Sequence, residues 1–151
     1  MAVQRDRPYL QFNFLVDLGG GADSGGSAAG FEECGPFSAA LDLVEYRNGN
    51  AKENGVQKLT GLARYADVSL RRGLIGSLTL WQWLNDAQSG DEQALRTVTV
   101  SLQTEDHTAV VTTWKLLRAR PVRWTVQPLS ARRSEVAVEE LVLAYERLEV
   151  E

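Results

Sequence analysis

A stretch in the middle of the chain decides the fold, and it runs Leu59-Thr60-Gly61-Leu62-Ala63-Arg64-Tyr65-Ala66-Asp67-Val68-Ser69-Leu70-Arg71-Arg72-Gly73. Apolar and polar side chains alternate along it, which is typical of a β-strand. Residues 37–47 predict a partner strand, and the polar segment 48–55 between the two strands carries two Asn-Gly-type turn signals. The sequence therefore predicts a long hairpin over residues 37–72 with an extended tip.

Strand patterns continue on both sides of this hairpin. Further strands are predicted at residues 9–18, 96–104, 109–117 and 122–126, with Pro121 ending the third of them. In the first, Leu10, Phe12, Phe14 and Val16 share one face. The C-terminal block 134–149 fits either a helical stripe or a strand whose face changes at a β-bulge around Glu139-Glu140. Periodicity alone leaves both alternatives open.

One helix is predicted, over residues 77–89. The Ser77 hydroxyl is expected to cap the first turn, and Gly90 suits the end of the helix. Trp81 and Trp83 project in different directions from a helix. At most one of them lies at the centre of the buried stripe, and the other is expected at a rim or a subunit contact.

Length and composition place the chain among ordinary globular proteins. Its 151 residues predict one domain, 1–151, interrupted by a glycine-rich loop at residues 19–30. The net charge of −4 does not favour nucleic-acid binding, which typically requires a positively charged surface patch. No apolar run approaches the roughly 20 residues of a membrane span, and residues 1–8 lack the apolar core of a signal peptide. We therefore expect synthesis and folding in the cytoplasm.

The chain carries few residues that perform chemistry. Its only histidine is His107, in a predicted turn, and its only cysteine is Cys34, beside two glutamates that do not favour a thiolate. The carboxylate pairs Glu32-Glu33 and Glu139-Glu140 project to opposite faces of a strand, so neither forms a shared site by itself. The sequence predicts no catalytic residue, no metal site and no cofactor.

The order of these segments resembles the tail tube proteins of contractile phage tails and related injection systems. The resemblance is carried by residues 9–18, 31–47, 59–73, 80–84, 96–102, 114–121 and 134–149. It implies a mainly β fold, a small barrel or sandwich of antiparallel strands with one flanking α-helix. It also favours the strand alternative for residues 134–149.

The family resemblance implies a structural protein rather than an enzyme. Family members assemble into hexameric rings that stack into a hollow tube, surrounded by a sheath and bounded by baseplate and cap or terminator proteins. A cargo effector or a tape-measure protein is a possible occupant of the lumen. The resemblance implies assembly in the bacterial cytoplasm, followed by incorporation into a virion or an injection particle.

The resemblance also implies a set of assembly residues. The tip of the hairpin is expected to reach a neighbouring subunit or ring through Asn48, Gly49, Asn50, Lys52, Glu53, Asn54 and Gln57. Glu45, Arg71 and Arg72 are expected to make polar contacts between subunits or to face the lumen, and Trp81 and Trp83 to pack the helix against the barrel. A tube-initiating homologue near the baseplate and a small β-sandwich binding module remain as alternatives.

Overall fold

The computed structural model describes residues 2–20 and 30–151, so most of the predicted glycine-rich loop, residues 21–29, lies outside the described part. The strands are β1 (Phe14–Asp17), β2 (Glu33–Gly35), β3 (Ala39–Tyr46), β4 (Gln57–Tyr65), β5 (Val68–Gly73), β6 (Arg96–Gln103), β7 (Val110–Val126), β8 (Val138–Ala144) and β9 (Arg147–Val150). The helix α1 spans Thr79–Gln88.

The strands form one large antiparallel sheet and one separate pair. In the large sheet, here called the main sheet, the order is β1-β6-β7-β8-β5-β2, and β9 also pairs with β7. The first half of β7 pairs with β6 and β9, and its second half pairs with β8. The partner of β7 changes between Ala119 and Arg120, and a register shift follows in the second half, between Pro121 and Arg123. This arrangement agrees with the predicted mainly β fold with one helix.

The remaining pair, β3 with β4, is called the ribbon. Its register continues that of β2 with β5, because Gly35 lies opposite Ser69 and Ala39 lies opposite Tyr65. The chain from Glu33 to Gly73 is therefore one hairpin, whose inner part belongs to the main sheet and whose outer part is the ribbon. Gly35 has φ of +132°, a conformation that L side chains rarely adopt, and it lies where β2 ends.

Three predicted boundaries were wrong. The single strand expected to run from Leu59 to Arg72 is two strands, interrupted at Ala66 and Asp67. Pro121 does not end a strand, because β7 continues through it and accommodates it at the register shift, where a missing N–H is tolerated. The first strand begins only at Phe14, and Leu10 and Phe12 are exposed rather than on a buried face.

The two ends of α1 differ from the prediction in different ways. Leu78, not Ser77, occupies the N-cap and makes no side-chain capping bond, while the Thr79 N–H donates to the Ser77 hydroxyl oxygen at 3.4 Å. Gly90 follows the C-cap Ser89 with φ of +78°, and its N–H donates to the Ala87 carbonyl. No helix within the described residues is long and apolar enough to cross a membrane.

The C-terminal block forms strands β8 and β9, with no bulge at Glu139-Glu140. Regular alternation therefore places Glu139 on the same face as Leu141 and Leu143. This face packs into the core, which also includes Val68 and Leu70 of β5. The predicted change of face was wrong, and a carboxylate instead lies inside the protein.

Candidate functional site

The ribbon is the most exposed regular element of the described structure. Every residue from Leu43 to Thr60 is exposed, and among the described residues β3 and β4 pair only with each other. Both outer edges of the ribbon therefore present unpaired backbone groups. Large apolar side chains along it are open to solvent, including Leu41, Leu43, Val44, Tyr46, Leu59 and Leu62. A surface of this kind is typical of a protein interaction site.

The predicted assembly residues at the tip lie where the hairpin reverses. Tyr46 pairs with Gln57, so the turn spans residues 47–56 and contains Asn48, Gly49, Asn50, Lys52, Glu53 and Asn54, all of them exposed. Arg47, which the sequence analysis did not single out, holds this turn. Its Nε donates to the Glu53 carbonyl at 3.1 Å and its Nη2 donates to the Ala51 carbonyl at 3.0 Å. The tip is thus organised before any partner arrives.

Two of the other predicted polar contacts lie on exposed or half-buried surface. Glu45 lies directly opposite Lys58 near the outer end of the ribbon. Arg71 lies opposite Glu33 and forms a 3.7 Å ion pair with it, in which the arginine side chain is 37% exposed. The structure does not bring Glu45 and Arg71 together, because one lies on the ribbon and the other on the main sheet.

Arg72 occupies a different environment from the predicted one. Its Nε donates to Glu139 Oε1 at 2.6 Å, and the two side chains are only 4% and 3% exposed. The Trp124 indole donates to the other Glu139 oxygen at 3.1 Å, so the buried carboxylate is satisfied from two sides. Arg72 is a core residue of this chain, and the expectation that it faces a lumen or a neighbour was wrong. The signal was present in the sequence, because Arg72 alternates in phase with Val68 and Leu70.

Of the two tryptophans of α1, one is buried and the other is partly exposed, as the helical geometry predicts. Trp83 is 1% exposed and its indole donates to the Ala94 carbonyl at 2.6 Å. Trp81 is 43% exposed and packs against Trp124, with ring centroids 5.1 Å apart. Beside Trp81 lies an apolar cavity of about 340 Å³, lined by Leu74, Gly76, Ser77, Leu78, Trp81, Trp124, Val126 and Glu139.

The described residues offer little for catalysis. They include no group of three His, Cys, Asp or Glu side chains placed to hold a metal ion. Burial raises the pKa of the Cys34 thiol to about 12, so this cysteine is not a ready nucleophile. His107 lies in an exposed turn with φ of +61°, where its ring nitrogen is 3.3 Å from Gln103 Oε1.

Several solved structures have folds similar to that of this chain. The chain is 24% identical to a chain in the PVC sheath-tube complex of an extracellular contractile injection system, covering 97% of this chain and 93% of that one with a TM-score of 0.83. It is 25% identical to a chain in the tube-terminating cap of the anti-feeding prophage, covering 100% and 94% with a TM-score of 0.82. A type six secretion system protein shares the fold at 12% identity, 92% and 82% coverage and a TM-score of 0.57.

Sequence comparison gives the family directly. None of the curated proteins matches the chain. The family described as T4-like virus tail tube protein gp19 matches residues 10–149, which is nearly the whole length. The chain therefore belongs to the T4-like virus tail tube protein family, and it is a structural tube component rather than an enzyme.

Proposed function

We propose that this chain is the inner-tube subunit of a contractile injection particle, and that it assembles as hexameric rings stacked into a hollow tube. The observation that carries the proposal is the ribbon, whose two edges pair with nothing else in the described chain. A lone two-stranded hairpin is at best marginally stable in water. Pairing between the ribbons of neighbouring copies supplies the missing hydrogen bonds, and closing the ring removes the free edges.

The apolar surface of the ribbon supports the same proposal. Leu41 is 64% exposed, Leu43 58% and Leu62 72%. Burying side chains of this type stabilises a protein or an interface, because it removes apolar surface from water. Obligate interfaces commonly bury about 2,000 Å² or more and resemble a protein core. Stacked rings of this chain would place such side chains against neighbouring copies.

The partners in the proposal follow from the particles in which similar chains occur. Those chains are found in a sheath-tube complex, in a tube-terminating cap and in a baseplate. By analogy, we propose sheath, cap and baseplate proteins as partners outside the tube, and a cargo effector or tape-measure protein inside it. Assembly is proposed to take place in the bacterial cytoplasm.

Negative-stain electron microscopy of the purified protein across a concentration series, with light scattering on the same samples, tests the proposal. We expect rings or hollow tubes of uniform diameter. A strict monomer at every concentration, and also in the presence of native baseplate and sheath components, would contradict it. Tubes that form only on a baseplate would identify a subunit that needs a template.

The hairpin tip provides the first prediction. Deleting residues 49–56 leaves Arg47 and Asn48 between the paired residues Tyr46 and Gln57, which is the length of a two-residue hairpin turn. We expect a folded monomer that does not form tubes, because the main sheet is untouched and the docking loop is gone. Circular dichroism and urea unfolding report folding, and light scattering reports assembly. Normal tubes from this deletion would rule out a docking role for the tip.

A further inference from the structure

The long hairpin loses its strand pairing at one level, where the ribbon joins the rest of the subunit. Residues 36–38 separate β2 from β3, and residues 66–67 separate β4 from β5. These two connecting segments lie opposite each other, because the register of β2 with β5 continues into that of β3 with β4. We call the main sheet together with α1 the body. Both connections between the ribbon and the body therefore lack strand pairing at the same place.

Polar side chains do not bridge this gap. Within the described residues, the side-chain hydrogen bonds of the ribbon and its tip stay inside the ribbon and its tip. Arg64 binds Asp42, Tyr46 binds Asn48, and Arg47 donates to carbonyls of the tip. The angle between the ribbon and the body is therefore fixed neither by backbone pairing at the gap nor by polar side chains of the ribbon.

Aromatic side chains make the connection that polar groups do not. Phe37, in the first connecting segment, stacks on Trp114 of β7 with ring centroids 4.9 Å apart and planes 6° apart. Tyr65, the last residue of β4, lies against Tyr145 with centroids 5.9 Å apart. Tyr145 belongs to the core, and the other three rings pack against it. Each of the two connections thus carries one ring that rests on the body.

The two ring pairs oppose a change of angle at the gap. Aromatic pairs at these separations are favoured beyond the apolar area that they bury. A swing of the ribbon relative to the body would separate both pairs and expose the rings to water. The four rings therefore form a clamp across the gap, which we call the aromatic clamp.

We infer that the gap is a hinge, and that the aromatic clamp holds the ribbon at one angle to the body before a second copy binds. The purpose of the clamp rests on the proposed function. A closed ring needs the same rotation between every pair of neighbours. A ribbon already held at the required angle loses less conformational freedom when it docks. Phe37 and Tyr65 are thus positioning residues for assembly.

Single-molecule energy transfer between a dye on the ribbon and a dye on α1 tests the inference in monomers. The dyes are attached to Lys58→Cys and Asn85→Cys, both at exposed positions, in a Cys34→Ala background. The combination of Phe37→Ala with Tyr65→Ala opens the clamp. The matched control, Phe37→Tyr with Tyr65→Phe, keeps both rings. Circular dichroism reports whether the body is folded, and the single alanine variants are used if the double variant is not.

We expect one narrow distribution of transfer efficiency in the parent protein and in the control, and a broad distribution in the open-clamp variant. Hydrogen exchange of the amides of residues 43–60 should be the same in all three proteins, because the ribbon itself stays paired. A broad distribution in the parent, a narrow one in the open-clamp variant, or a control as broad as that variant would overturn the inference. Faster exchange along the ribbon of the open-clamp variant would also overturn it, since the rings would then hold the fold of the ribbon rather than its angle.

Assembly provides the second measurement. We expect the threshold concentration for tube formation to rise by about tenfold in the open-clamp variant, because the hinge must then be ordered on docking, and to stay unchanged in the control. An unchanged threshold in the open-clamp variant would overturn the role of the clamp in assembly. Absence of tubes from the parent protein would instead contradict the proposed function, and the monomer measurement would still decide whether the hinge is clamped.

Discussion

In the body of the protein Leu70 and Leu141 are inaccessible to solvent, whereas on the ribbon Leu41 and Leu62 are 64% and 72% exposed. Both regions are antiparallel strands of the same chain. The long hairpin passes from one into the other in the same register, which shifts only within the ribbon, between Leu41 and Leu43. The difference is in what covers them. The body completes its core with its own strands and helix, while the ribbon lacks any covering layer from the described part of the chain. Stability of the monomer should therefore reside in the body, and assembly in the ribbon.

The largest effect on monomer stability is expected at Trp83. Replacing this residue by alanine removes the side chain that packs α1 into the core and leaves a cavity there. It also removes the indole N–H that donates to the Ala94 carbonyl. We expect Trp83→Ala to lower the free energy of unfolding by about 3–5 kcal/mol, measured by urea denaturation below the concentration of assembly.

Trp81→Ala is the matched control because Trp81 lies on the same helix but is 43% exposed. We expect it to cost about 1 kcal/mol, which is typical of a partly exposed site. Equal losses from the two variants would mean that α1 does not distinguish a core side from a surface side, and that Trp83 is not the residue that anchors the helix in the body.

A second effect, of about 3 kcal/mol, is expected at Glu139, because removing one member of a buried ion pair leaves the other charge uncompensated. Glu139→Gln keeps the shape but leaves the Arg72 guanidinium, 4% exposed, without its counter-charge. Glu140→Gln is the adjacent control, since Glu140 accepts from the Ser69 hydroxyl at 2.8 Å in a half-buried position.

We expect the control to cost about 1 kcal/mol or less, the usual value of one hydrogen bond. Urea unfolding of both variants under the same conditions gives the comparison. If Glu139→Gln were as mild as Glu140→Gln, the charged pair would not be an essential part of the core.

The sequence predicted the elements whose local signals agree with their tertiary surroundings. Val98 and Val100 alternate with threonines, and they are buried in β6 as expected. The helix was predicted from apolar spacing together with Ser77 and Gly90 at its ends, and the separation of its two tryptophans from helical spacing. Periodicity works at these positions because one face of each element meets the core and the other meets solvent.

Other features depend on tertiary structure that periodicity does not contain. Nothing in Ala66-Asp67 marks a break, and the interruption between β4 and β5 reflects the departure of the ribbon from the main sheet. The family resemblance and the charge of Arg72 together led to its wrong placement, since a basic side chain is usually solvated. Arg72 lies on the same strand face as Val68 and Leu70, and Glu139 lies on the same face as Leu141. These positions identify Arg72 and Glu139 as a buried ion pair once β5 and β8 are known to be neighbours.

The smallest effect on stability, with a large effect on assembly, is expected at Arg47. Its guanidinium bonds two carbonyls of the tip, so Arg47→Ala frees that loop but removes no core contact. We expect the free energy of unfolding to change by less than about 0.5 kcal/mol, as is usual for exposed sites. The threshold concentration for tube formation, measured by light scattering, should rise by about tenfold, because a docking loop that must be ordered on binding loses affinity.

Arg64→Ala separates this effect from a general loss of ribbon charge. Arg64 is also an exposed arginine of the ribbon, but within the described residues its side chain bonds only that of Asp42 and holds no loop. An exposed ion pair contributes about 0–1 kcal/mol, so we expect the assembly threshold of Arg64→Ala to stay close to that of the parent protein. A rise of the same size in both variants would point to charge rather than loop geometry, while no rise in Arg47→Ala would mean that the tip docks without being organised in advance.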